Sequence, residues 1–155
     1  MTTRNVICTL LATTLLVAWL RADEPAPGLN GRWIVTRLVI EGTELPVSKS
    51  SDTFWFDIHG DAWHYSFVVD GKRTTARFRV TLARNDTEIS VDAKLLNGVY
   101  ADRVCKGICR IDGDVTQLCL AEKPSIARPI SFECPAKSGL QLFELRRAKA
   151  TELIR

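Results

Sequence analysis

The sequence predicts an all-β fold, an antiparallel up-and-down barrel of eight or nine strands. From Gly31 onward, short runs of alternating apolar and polar residues are bounded by pairs drawn from Gly, Asp and Asn. Hairpin registers worked out from those pairs keep one apolar face continuous from strand to strand. The connections are tight almost throughout. They favour a barrel, which removes sheet edges by closing on itself, over the alternative of a Greek-key sandwich, which needs a long crossing link.

The first strand, near 32–41, follows a Pro-rich stretch and opens with Gly31, Arg32 and Trp33. The next two, 53–59 and 62–69, come from FWFDIHGDAWHYSF. With Gly60-Asp61 as a two-residue turn, Phe54 faces Phe67, Phe56 faces Tyr65 and Ile58 faces Trp63, all on one side. A turn at Asp70-Gly71, a pair suited to type I′ geometry, carries that face into 74–83 by setting Phe67 against Thr74, Tyr65 against Ala76 and Trp63 against Phe78. Asn85-Asp86 extends it into 87–92, with Leu82 opposite Ile89, Val80 opposite Val91 and Phe78 opposite Ala93. After the less regular stretch 94–103, a turn at Asp112-Gly113 joins 104–111 to 114–121. It pairs Ile111 with Asp114, Cys109 with Thr116, Gly107 with Leu118 and Cys105 with Leu120. The last two strands, 129–134 and 139–147, meet at a bend at Lys137-Ser138-Gly139, and residues 148–155 form a tail that makes a helical turn or frays.

In a closed barrel the first and last strands are neighbours. That places Arg146 or Arg147 over the indole of Trp33, where a planar guanidinium would plug one end for about 0.5–2 kcal/mol. Gly31 gives the entering chain the backbone freedom to cross beneath the barrel. Gly31, Trp33, Arg146 and Arg147 are therefore the expected closure residues.

At 155 residues the chain has room for one ordinary domain. Residues 1–22 read as a secretory signal: a weakly basic start, an apolar run from Val6 to Leu20, and a small residue, Ala22, at the cleavage point. The alternative is an uncleaved anchor with Arg21 at the membrane edge. Residues 23–30 are then a linker, 31–147 the barrel and 148–155 the tail. The expectation is an exported protein, periplasmic or extracellular, with no stable membrane span after cleavage. Of 21 basic side chains, Arg4 and Arg21 leave with the signal, so 19 remain against 18 acids. The remaining bases are scattered, which argues against nucleic acid as a partner.

Four cysteines follow the signal, Cys105, Cys109, Cys119 and Cys134, an even count that invites disulfides in an exported chain. Cys105 and Cys109 lie on one strand about 13 Å apart, too far for a bond between them. Cys119 falls on the opposite face. The pairing stays open.

Gly31-x-Trp33 followed by a strand, with an arginine closing the last strand, resembles the Gly-x-Trp and terminal Arg signature of lipocalins. A longer set of residues resembles a bacterial family of lipocalin-like exported domains found in planctomycetes. Its order of Gly-x-Trp, Asp-Gly-Asp, Leu-x-Leu-Cys, Arg-Pro-x-x-Phe and a final Arg is matched here by Gly31 and Trp33; Asp112, Gly113 and Asp114; Leu118 and Cys119; Arg128, Pro129 and Phe132; and Arg147. The resemblance spans 29–147. It departs at Thr116, where the family has a larger apolar residue, and at Cys109, where an aromatic is common. It implies a lipocalin-like barrel and no particular activity.

Candidates for chemistry are few. His59 and His64 flank the Gly60-Asp61 turn, with His64 opposite Asp57 on the outer face, and no further ligands converge on them. Asp112 and Asp114 are explained by the turn they flank. Asn85-Asp86-Thr87 matches a glycosylation acceptor and reads as a turn. The chain contains no Gly-x-Ser-x-Gly elbow, phosphate loop or His-Glu-x-x-His element. The expectation is thus a binding protein rather than an enzyme, with no catalytic residues, metal or cofactor. The aromatic face of Phe54, Phe56, Trp63, Tyr65, Phe67 and Phe78 either fills the barrel or lines a cavity for a small apolar or amphiphilic ligand, with Tyr65 as a polar handle. The alternative function is a protein-interaction or inhibitor barrel with a filled interior, acting through loops at 43–53 and 122–128.

Overall fold

A computed structural model describes residues 28–47, 53–69, 71–85 and 88–153. The expected signal segment, most of the expected linker and part of the Asn85-Asp86-Thr87 triplet lie outside them. Nine strands follow in order: β1 (Gly31–Ile40), β2 (Thr43–Leu45), β3 (Phe54–His59), β4 (Ala62–Val69), β5 (Lys72–Arg84), β6 (Ile89–Leu95), β7 (Val104–Asp112), β8 (Val115–Ala121) and β9 (Leu140–Arg147). A 3-10 turn, Ala150–Glu152, ends the described chain.

β1 and β3 through β9 form a closed antiparallel up-and-down barrel of eight strands, sealed by pairing of β1 with β9. This is the topology of a lipocalin-like barrel. On its other edge β1 is shared: Gly31–Ile34 pair with β3, and Leu38–Ile40 with the short β2 that folds back beside them. Gly31, the β3–β4 turn and Arg147 share one end of the barrel, here the closed end; the β1–β2 and β8–β9 connections lie at the other, open end.

The two aromatic hairpins adopt the expected registers, Phe56 opposite Tyr65 and Ile58 opposite Trp63, then Tyr65 opposite Ala76 and Trp63 opposite Phe78. The next two tight hairpins are offset by two. Leu82 faces Val91 rather than Ile89, and Val80 faces Ala93, because the Asn85 N–H donates to the Glu88 carbonyl and the reversal sits one residue further along. Cys109 faces Leu118 rather than Thr116, because Gly113, at φ +57°, takes the first central position of its turn instead of the second. Sliding a turn by one residue moves the pairing by two, so every side chain keeps its face.

β1 carries a bulge: Val35 pairs with Leu145 and Arg37 with Glu144, leaving Thr36 over, its hydroxyl donating to the Glu144 carbonyl. The bulge flips the inward set from Trp33 and Val35 to Leu38 and Ile40. Val39 then points outward.

The expected strand at 129–134 does not form. Residues 122–139 instead run as an irregular strap over the outer wall, and the ninth strand is β2. Pro124, Pro129 and Pro135 remove N–H donors from this stretch. Arg128 anchors it by donating to the Val91 and Gly107 carbonyls at 2.9 and 2.7 Å while pairing with Asp92. Phe132 and Cys134 pack on Val39, Ile108, Cys119 and Leu142, a second small core outside the barrel, and the Arg110 guanidinium lies 4.6 Å over the Phe132 ring. Cys105, Cys109, Cys119 and Cys134 are all free thiols.

The main core fills the closed half of the barrel with Trp33, Phe56, Ile58, Trp63, Val91, Leu118 and Leu145. Replacing the fully buried Trp33 by Ala is expected to cost about 3–5 kcal/mol in denaturant unfolding; a loss under about 1 kcal/mol would deny the indole this role. Thr116 is also buried here, and its hydroxyl lacks a hydrogen-bond partner among the described residues. Thr116→Val should therefore leave stability unchanged or raise it by about 1 kcal/mol, whereas a loss of that size would reveal a partner for the hydroxyl.

Candidate functional site

The two ends of the barrel differ. At the closed end, Gly31 takes φ +119°, and a Cβ there would touch the Arg147 guanidinium at 3.4 Å. Arg147 lies 4.4 Å over the Trp33 ring, donates to the Asn30 carbonyl at 2.9 Å and to the Gly28 carbonyl, and pairs with Asp114 at 3.2 Å. The Trp33 indole N–H donates to the Leu29 carbonyl at 2.7 Å. Arg146 points to the other face and binds Glu152 through both oxygens, at 2.8 and 2.6 Å, which holds that carboxyl down to about 2. Strand alternation explains the division, since neighbouring residues on β9 face opposite ways. Gly31, Trp33 and Arg147 come together, and Arg146 fastens the tail.

At the open end the side chains stop short of filling the barrel. A cavity of about 410 Å³ opens there. Phe54, Phe56, Tyr65, Phe67 and Phe78 line it, while Trp63 lies below among the closed-end core residues and donates to the Gly60 carbonyl at 3.3 Å. Phe56 stacks on Tyr65 with centroids 4.7 Å apart, and Tyr65 meets Phe67 at 5.3 Å. Phe143 of β9 joins them edge-on, 5.3 Å from both Phe56 and Tyr65. Sequence reasoning passed over Phe143 because LQLFEL is apolar on both faces, one facing the cavity and the other the strap. Stepping back two residues at a time from the inward Leu145 would have found it.

Polar groups in the cavity are sparse. The Tyr65 hydroxyl forms no hydrogen bond among the described residues, and burial pushes its phenol up, so it stays neutral and able to donate. Glu122 and Gln141 sit at the mouth, where the Glu122 N–H donates to the Gly139 carbonyl. Cys105 lines the wall, its thiol raised by burial.

The other candidates lie elsewhere. His64 stands opposite Asp57, but the Asp57 carboxylate is taken by Arg32, at 2.7 and 3.1 Å, and by the Trp55 indole at 2.9 Å. Asp114 serves Arg147. Among the described residues no group of His, Cys, Asp or Glu is arranged to hold a metal, and no helix is long and apolar enough to cross a membrane. Comparison with protein-family models, curated proteins and solved structures found no match for this chain.

Burial pushes the Cys109 thiol up to about 12, and burial with neighbouring Cys134 does the same for Cys119. Only the thiolate is nucleophilic. Both cysteines should resist iodoacetamide in the folded protein at mildly alkaline pH and react once guanidinium unfolds it, read by mass spectrometry of peptides. Rapid labelling of either in the native state would contradict this burial.

Proposed function

We propose that this protein is an exported, lipocalin-like binding module that takes a small apolar or amphiphilic molecule into the cup of its barrel. One observation carries the reading: a cavity of about 410 Å³, open at one end, walled by aromatic rings and holding a tyrosine hydroxyl with no hydrogen bond among the described residues. Binding sites for small molecules are concave and mostly apolar, with a few polar groups, and barrel mouths are a preferred place for them. A volume of about 410 Å³ falls within the range of pockets that take small molecules. The apolar run from Val6 to Leu20 supports export to the periplasm or beyond. The Gly-x-Trp motif and the terminal arginine support kinship with the planctomycete-type lipocalin-like domains. A hollow upper half counts against a filled barrel that meets only proteins through its loops.

Nile red, an uncharged dye whose emission rises in apolar surroundings, tests the cavity. It should bind saturably and raise the melting temperature, as any ligand selective for the folded state does. Ala76→Trp places an indole opposite Tyr65 on the cavity wall and should abolish the dye signal while the barrel remains folded by circular dichroism. Equal binding to both proteins would place the dye elsewhere and remove the case for the cup.

A further inference from the structure

The cavity is not symmetric in charge. Glu122, at the end of β8, is the only charged side chain among its described lining residues, and it has no ion pair among the described residues. Gln141, on the adjoining β9, lies beside it at the mouth: Ala121 pairs with Leu140, and the Glu122 N–H donates to the Gly139 carbonyl. Neither side chain makes a described hydrogen bond, so both are available to something that enters. Deeper in, the Tyr65 hydroxyl also lacks a hydrogen bond among the described residues, with its ring edge-on to Phe143, which stands two residues below Gln141 on the same inward face of β9.

An amphiphile entering this cup would lay its tail among the rings of Phe54, Phe56, Phe67 and Phe143 and leave its polar end at the level of Glu122 and Gln141. A carboxylate or phosphate head there would face a like charge with no described cation to offset it, across a mouth of reduced dielectric where such repulsion is strong. A protonated amine would meet an acceptor carboxylate, the stronger class of hydrogen bond, with the Gln141 carbonyl oxygen as a second acceptor.

Resting on the cavity reading above, we propose that Glu122 sets the ligand class: this cup selects cationic amphiphiles, an alkyl chain or small ring system bearing a protonated amine, and rejects anionic ones such as fatty acids. Glu122 acts on the head group while the aromatic wall accepts the tail without regard to charge. The two contributions are therefore separable.

Displacement of Nile red at neutral pH by decylamine, decanol and decanoate, which share one chain length, tests the assignment on the full protein. Decylamine should compete best and decanoate worst. The preference for decylamine over decanol should be roughly 10- to 100-fold, as expected for one hydrogen bond to a charged group. In Glu122→Gln that preference should collapse towards unity, and in Glu122→Lys decanoate should overtake decylamine. The side chain sits at the rim and has no described bond to the fold, so these variants should remain folded, which circular dichroism checks. Decanoate binding as well as decylamine, or an amine preference unchanged in Glu122→Gln, overturns the charge assignment while leaving the cavity in place. Failure of Nile red and all three chains to bind overturns the cavity reading and this inference with it.

Discussion

The ladder between β1 and β9 is the contact on which the molecule depends. It joins residues more than a hundred positions apart in the chain, from Trp33 opposite Arg147 to Ile40 opposite Gln141. Without it the sheet keeps two exposed edges and its apolar face has no enclosed volume to fill. The bulge at Thr36 belongs to the same ladder. By using one extra residue, β1 keeps apolar side chains pointing inward at both ends of its length and turns Val39, between Leu38 and Ile40, outward. Arg147 completes the seam by stacking on Trp33 while bonding the Gly28 and Asn30 carbonyls, so one guanidinium ties together the last strand, the first strand and the chain entering beneath.

Closure leaves the outer wall to be dealt with, and the strap at 122–139 does so. Ile108, Cys119, Leu142 and Val39 come from four adjacent strands and would form an apolar stripe in water. Phe132 and Cys134 cover it. Arg128 fixes the strap by reaching paired residues of β6 and β7, Val91 and Gly107, through their carbonyls. The barrel is thus apolar on both sides of β8 and β9, where a free-standing barrel would alternate.

That doubled apolarity shows what a sequence can and cannot reveal. Alternation made the strands legible, and the inward set survived even where Gly113 and the link after Asn85 slid two registers, because a slip of two returns each residue to its own face. The stretch PISFEC alternates like a strand, yet the same alternation serves a segment lying on the wall, and only the prolines hinted otherwise. Phe143 was hidden by Leu142 beside it. The bulge left a faint trace in Thr36-Arg37, two polar residues inside an otherwise apolar run. That an arginine at the end of the last strand would meet Trp33 was legible, because stacking needs only that the first and last strands be neighbours; that it is Arg147, with Arg146 turned to the tail, needed the register. The cavity was not, since six aromatics say how much ring is present and nothing about how far the opposite wall stands away. Glu122 and Gln141 look like ordinary strand-end residues until the barrel brings them to one mouth.

The uneven filling of the barrel separates what must stay from what is free to drift. Trp33, Phe56, Ile58, Leu118 and Leu145 hold one another in the closed half. Leu45, Glu122 and Gln141 at the open end carry little of that burden. Descendants of this gene can therefore exchange rim residues with small losses of folding stability, while the floor tolerates little change. Copies diverging after duplication should vary most around the cup and least beneath it.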